Sequence, residues 1–85
     1  MSDLDFQEWR LRRARGVIEE YVRGVKRRAS DINWVLGVLK GAFGVSKDEA
    51  LMIIESIKND KIMVLTPERV KRLEELKKIV SNLEW

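Results

Sequence analysis

The sequence predicts an all-α domain of four helices, and three observations support this prediction. Apolar residues recur three or four positions apart through most of the chain, as they do on one face of an α-helix. Helix-capping residues stand before the apolar segments, at Asp5, Ser30–Asp31, Ser46 and Thr66. The 85 residues suffice for a single domain with one small core.

The first predicted helix runs from about Leu4 to Ala29. Asp5 and Glu8 have capping-box spacing near its start. One face of this helix is apolar, and the stripe contains Leu11, Ala14, Ile18, Tyr21, Val22, Val25 and Ala29. Gly16 and Gly24 lie off the stripe at positions where glycine weakens a helix, so they predict a bend or a close contact.

The second predicted helix, from Ile32 to Phe43, is apolar on two sides. Asp31 precedes it as an N-cap, and Gly44 follows it as a C′ residue. Lys40 is its only charged residue after Asp31. Because a helix this apolar is unfavourable when surrounded by water, we expect it to lie centrally in the fold or at an interface.

The third predicted helix runs from about Lys47 to Lys58, and Ser46 and Glu49 form its capping box. Its inner face comprises Ala50, Leu51, Ile53, Ile54 and Ile57. Its outer face comprises Asp48, Glu49, Met52, Glu55 and Ser56. This separation predicts that one side of the helix is buried and the other is exposed.

A short apolar run and a fourth helix complete the chain. Ile62–Leu65 has the composition of a rudimentary wing strand, although periodicity does not decide so short a segment. Thr66 and Pro67 are an N-cap and an N1 proline for a helix that runs from about 67 to 83. Its apolar stripe, in part with heptad spacing, consists of Val70, Leu73, Leu76, Val80 and Leu83. This stripe would permit a homodimer through the fourth helix.

Composition excludes several classes of function. The chain has no cysteine and no histidine, so it lacks a thiol nucleophile, the usual base at neutral pH and the commonest metal ligands. We therefore expect no enzymatic activity, no cofactor and no metal site. No apolar run is long enough to cross a membrane, and the N-terminus lacks a signal-peptide pattern, which predicts a cytoplasmic protein. The 36% of charged residues is compatible with a thermophilic source.

Positive charge is concentrated in the first predicted helix. Between Arg10 and Arg28, eight basic residues are opposed only by Glu19 and Glu20, which gives the segment a net charge of +6 in a chain of +3. Such a surface favours an acidic partner, either nucleic acid bound without sequence specificity or an acidic protein, although a merely solvated face is the competing interpretation. The candidate contacts are Arg12, Arg13, Arg15, Arg23, Lys26 and Arg27.

Four large side chains are candidates for contact with a larger protein. Phe6 and Trp9 lie off the apolar stripe of the first helix, and tryptophan is enriched at binding hot spots. Trp34 lies on the second apolar face of the second helix, where packing inside the domain is the competing interpretation. Met52 lies on the outer face of the third helix.

The segment from Ile32 to Leu65 resembles a helix-turn-helix of the winged-helix family. The second helix, the glycine turn, the capped third helix and the run at 62–65 follow one another as the helices and first wing strand of that family do. The residues that fit the turn glycine and three apolar positions of the motif are Gly44, Leu39, Val45 and Ile53. Lys40 departs from the pattern, because a small residue is usual there, and only one wing strand is visible.

The third helix nevertheless lacks the polar groups of a DNA-reading helix. A recognition helix presents Arg, Lys, Asn or Gln to the major groove. Here the outer face presents Asp48, Glu49 and Glu55, which would repel phosphate. We therefore interpret the helix-turn-helix as a scaffold for protein contacts.

In size and charge the chain is similar to small accessory proteins of archaeal nucleic-acid machines, and it resembles the accessory subunits of archaeal family-B replicative DNA polymerase holoenzymes. The resemblance implies a non-catalytic role in DNA replication. The apolar and aromatic surface would dock a larger protein, and the basic first helix would lie near DNA. The alternative is a homodimeric helix-turn-helix transcriptional regulator of plasmid or viral type, which would bind duplex DNA on its own.

Overall fold

The computed structural model describes residues 3–24, 31–60 and 65–83, and within these ranges the protein is all-α, as predicted. Four helices follow one another: α1 at Asp3–Arg23, α2 at Ile32–Gly37 with a π-helical continuation at Val38–Ala42, α3 at Lys47–Lys58, and α4 at Pro67–Asn82. No strand occurs in the described ranges. Residues 62–64 of the predicted strand lie outside those ranges, and Leu65 is irregular and packs against the core.

Helix α1 ends at Arg23, and residues 25–29 of the predicted helix lie outside the described ranges. Gly24 has φ +68°, and its N–H donates to the carbonyl of Glu20 at 3.0 Å, so glycine ends the helix in the left-handed conformation. A Cβ at Gly24 would lie 1.7 Å from a guanidinium nitrogen of Arg72. The sequence singled out Gly24 as a bend or a close contact, and it is both.

Helix α2 and its π-helical continuation together span residues 32–42, close to the predicted Ile32–Phe43, but the geometry of the second half was not predicted. The N–H of Phe43 donates to the carbonyl of Val38 at 3.1 Å, which is the five-residue spacing of a π-helix. The N–H of Val45 then donates to the carbonyl of Leu39 at 2.8 Å, one residue further back than in an α-helical Schellman motif. Gly44 closes the turn with φ +58°, which confirms its predicted role after the helix.

Helices α3 and α4 begin where their caps predict. Ser46 and Glu49 form the reciprocal capping box of α3. Thr66 accepts from the N–H of Arg69, and Pro67 occupies the first turn of α4. Local side-chain chemistry fixes both starting points.

The core lies among all four helices and the turn before α3. In the described ranges fourteen hydrophobic residues are buried there, namely Ala14, Ile18, Tyr21, Val22, Val35, Leu39, Val45, Ala50, Ile53, Ile54, Ile57, Leu73, Leu76 and Val80. Helix α3 packs mainly against α4 and α1, and α2 packs against α1. A helix-turn-helix arrangement of α2 and α3 therefore stays a prediction.

The apolar stripe of α4 faces this core. Leu73, Leu76 and Val80 are fully buried within the domain, so they are not available as the seam of a homodimer. Only the ends of the stripe, Val70 and Leu83, are exposed. None of the helices in the described ranges has the length and apolarity needed to cross a membrane.

Candidate protein-binding surface

Arg10 connects α1 to the turn between α2 and α3. Its guanidinium donates to both carboxylate oxygens of Glu49, with Nη2 2.9 Å from Oε2. Nη1 also donates to the backbone carbonyls of Phe43 and Gly44, at 3.2 and 3.1 Å, and Gln7 accepts from the same guanidinium. A positively charged side chain that donates to carbonyl groups at the C-terminal end of a helix complements the negative end of the helix dipole. With only 12% of its side chain exposed, Arg10 is a structural residue.

The Glu49 carboxylate completes the start of α3. Its Oε1 accepts from the backbone N–H of Ser46 at 3.0 Å, while the Ser46 hydroxyl accepts from the N–H of Glu49 at 3.1 Å. The hydrogen bond from Arg10, followed by that from the Ser46 backbone, holds the pKa of Glu49 below its ordinary value. Glu49 is therefore ionised at neutral pH, and its charge is balanced within the domain.

Arg15 is not a free cation of the predicted basic surface. Its Nε donates to Glu19 at 2.8 Å, one turn further along α1. The two other guanidinium nitrogens donate to the Ser56 hydroxyl, at 2.9 Å, and to the Asp60 carboxylate. The hydrogen bond to Glu19 raises the pKa of Arg15, and both carboxylates add to the effect. These contacts fix α1 to the end of α3.

The polar side chains of α3 also bind helices of the same domain. Lys47 donates to the backbone carbonyls of Ser81 and Leu83 at the end of α4, at 2.9 and 3.1 Å. Glu55 pairs with Lys77 of α4 at 2.5 Å. Of the three α3 carboxylates predicted to repel DNA, Glu49 and Glu55 are therefore paired internally, and Asp48 is exposed.

Three of the predicted basic contacts remain on the surface of α1. Arg12, Arg13 and Arg23 are exposed. Lys26 and Arg27 lie outside the described residues. The free positive charge on α1 is thus smaller than the sequence indicated, and it lies on the side opposite the core.

An aromatic pair stands on the same side of α1. Phe6 is 50% exposed and Trp9 is 48% exposed, and their stacked rings have centroids 6.2 Å apart. The guanidinium of Arg13 lies 5.8 Å from the Trp9 ring centroid, a cation–π distance. We call Phe6, Trp9, Arg12, Arg13, Gly16 and Arg23 the α1 outer face, since helical spacing places them on one side of the helix.

A shallow groove between α1 and α3 adjoins the α1 outer face. Its lining is mainly apolar and comprises Leu11, Arg12, Arg15, Met52, Ile53 and Ser56. Met52 is 61% exposed and forms part of one wall. Because Arg12 belongs both to this groove and to the α1 outer face, Met52 adjoins the same surface.

The fourth predicted protein contact, Trp34, lies elsewhere. It is on α2 and is 36% exposed, so it is less open than Phe6 or Trp9. The structure therefore brings Phe6 and Trp9 together on α1, places Met52 on α3 in the adjoining groove, and leaves Trp34 on a separate element.

The structural role of Arg10 was missed in the sequence. Arg10 lies beside the apolar stripe of α1, at a position from which a long side chain reaches a neighbouring helix. That position was the only available signal, because its partner Glu49 is 39 residues away in the chain.

Comparisons of the chain with protein-family models, with curated protein sequences and with solved structures gave no match. In the part of the chain that the structure describes, no group of three or more Asp and Glu side chains is placed to hold a metal ion. The α1 outer face combines exposed aromatic rings with exposed arginines, and the groove that contains Met52 adjoins it.

Proposed function

We propose that this chain is a non-catalytic binding subunit that docks a larger protein through the α1 outer face. The observation that carries the proposal is the exposed Phe6–Trp9 pair with Arg13 over the indole ring. Tryptophan and arginine are enriched at binding hot spots. Covering apolar area contributes roughly 25 cal/mol per Å², so a partner that buries these rings gains affinity.

The charge of the α1 outer face indicates the character of the partner surface. Arg12, Arg13 and Arg23 give it an excess of positive charge. An acidic surface on the partner would be electrostatically complementary and would accelerate association at low salt. In this proposal the larger protein belongs to a nucleic-acid-processing assembly, and the resemblance in size and charge suggests an archaeal family-B replicative DNA polymerase holoenzyme.

Two observations favour a binding subunit over a free-standing DNA-binding regulator. Both lysines of α3 bind α4, Lys47 through backbone carbonyls and Lys58 through the Glu74 carboxylate, which leaves few free donors for base edges. On α4, three of the heptad-spaced residues, Leu73, Leu76 and Val80, are buried in the core of the same chain. A dimeric regulator would need a dimer interface other than the α4 stripe and a DNA-recognition element other than α3.

Co-purification from the cells that encode the chain tests the proposal. The tagged full-length protein should retain a larger protein in stoichiometric amount. Trp9→Ala should weaken that association by about 2 kcal/mol or more if Trp9 is a hot spot. Trp34→Ala is the matched control, because it removes the same side chain from α2, and it should leave the association unchanged.

The opposite pattern would contradict the proposal. Retention of the partner by Trp9→Ala together with its loss from Trp34→Ala would move the docking surface to α2. Enrichment of one DNA sequence from random duplexes by the protein alone would favour the regulator.

A further inference from the structure

Gly16 stands at the centre of the α1 outer face. Arg12 and Arg13 lie one turn before it, and Glu20 lies one turn after it. Glycine in a helix interior is less favourable than alanine. A Cβ at Gly16 would meet no atom within 4 Å, so the packing of the domain does not require glycine here.

The missing side chain opens a notch beside the aromatic pair. Its lining residues are Arg12, Arg13, Gly16, Val17, Glu20 and Phe43. Val17 and Phe43 are partly buried against the core and provide apolar surface. Both arginines are exposed and provide positive charge.

We propose that an acidic, amphipathic helix of the partner protein crosses α1 at Gly16. This inference rests on the proposed function and specifies the partner element. Two helix axes approach most closely where the side chains at the crossing are small. The apolar side of the partner helix would cover Phe6 and Trp9, and its carboxylates would face Arg12 and Arg13.

Charge and backbone geometry both favour this occupant. Among the side chains of α1 that the structure describes, three exposed arginines on the α1 outer face outnumber the one acidic residue there, Glu20, which selects against a basic helix. The described ranges contain no strand, so they offer no sheet edge for an extended segment. A helix surface with a small residue at its centre fits another helix.

Synthetic peptides test the inference on the full-length protein. Three peptides of about 20 residues, long enough to form helices, share one leucine stripe and carry Glu, Gln or Lys at the polar positions. The Glu peptide should bind with a Kd of about 100 µM or tighter, and the Lys peptide should bind at least about tenfold more weakly.

Variants at Gly16 separate binding from stability. Gly16→Leu should weaken binding of the Glu peptide by at least about tenfold through steric exclusion. Gly37→Leu is the matched control, because Gly37 is an exposed helical glycine with the same open surroundings, and it should leave binding within about twofold.

Gly16→Ala should raise the Tm by about 4–8 °C, since it replaces a glycine inside a helix. A stability gain in Gly16→Ala beside a binding loss in Gly16→Leu is not expected from a purely structural role.

Several results would overturn the inference. These are no binding of the Glu peptide, a preference for the Lys peptide, or equal binding by Gly16→Leu. A short DNA duplex that binds the wild type but not Gly16→Leu would assign the notch to nucleic acid. A dimer in analytical ultracentrifugation that Gly16→Leu dissociates would assign it to a second copy.

The native partner distinguishes this inference from the proposed function. If Trp9→Ala loses that partner while Gly16→Leu retains it, the docking surface stands and the helix crossing is wrong. If both variants retain the partner, both proposals are wrong.

Discussion

Arg10 and Arg15 are five positions apart on one helix, yet neither is free to meet a partner. Arg10 donates hydrogen bonds to a carboxylate and two backbone carbonyls, and Arg15 donates to Glu19, Ser56 and Asp60. Exposed ion pairs contribute about 0–1 kcal/mol, whereas hydrogen bonds to charged groups contribute about 1.5–3 kcal/mol. The shielded Arg10 cluster therefore stabilises the domain more than a typical surface pair.

Glu49→Gln should remove a pH-dependent part of this stability. Because the pKa of Glu49 is lowered in the folded state, its contribution is complete above the ordinary carboxyl pKa of about 4.3. The contribution is lost as the pH falls through the lowered value. Urea unfolding at neutral pH should show the wild type more stable than Glu49→Gln by about 1 kcal/mol, and the difference should shrink in acid.

Asp48→Asn controls for loss of a carboxylate at the start of α3. Asp48 is exposed and lies outside the Arg10 contacts, so its substitution should change stability less at neutral pH. A difference between wild type and Glu49→Gln that stays constant from neutral to acid pH would show that the Arg10 pair does not stabilise the fold.

At the scale of the elements, the sequence predicted the first residues of the helices more accurately than the last ones. Ser46 and Thr66 mark the beginnings of α3 and α4 because a cap acts on N–H groups within three residues of itself. The end of α1 depends on Gly24, against which Arg72 of a distant helix packs. The π-helix at Val38–Ala42 is followed by the buried residue Val45, whose N–H donates to the carbonyl of Leu39. No local sequence pattern distinguishes this π-helix from an α-helix.

Two glycines around α2 should respond oppositely to alanine. Gly44 has φ +58°, where an L side chain is strained, so Gly44→Ala should destabilise the protein by about 1–2 kcal/mol. Gly37 has φ −62° and open surroundings, so Gly37→Ala should stabilise it by about 0.5–1 kcal/mol. Thermal unfolding followed by circular dichroism measures both changes. Shifts of the same sign would mean that the turn at Gly44 is not left-handed in solution.

Across the whole molecule, the charges of α1 divide into an inner and an outer set. The sequence predicted the exposure of Phe6, Trp9 and Met52, since each lies off an apolar stripe. It did not predict which cations remain free, because the partners of Arg10 and Arg15 lie up to 45 residues away. Pairing across such separations depends on how the helices pack, which periodicity along one helix does not encode.

Two double variants that each remove two positive charges from α1 test this division. Arg10→Gln with Arg15→Gln removes the inner set and should lower the free energy of unfolding by about 2–4 kcal/mol, because carboxylates and carbonyls lose their donors. Arg12→Gln with Arg13→Gln removes exposed charges and should change the free energy of unfolding by less than about 1 kcal/mol.

The affinity for the partner should instead be reduced by the outer substitutions and not by the inner ones. The outer variant should bind more weakly and with less dependence on salt, while the inner variant, assayed below its Tm, should bind as the wild type does. Equal destabilisation by the two variants, or a binding loss confined to the inner one, would show that α1 does not separate its structural cations from its binding cations.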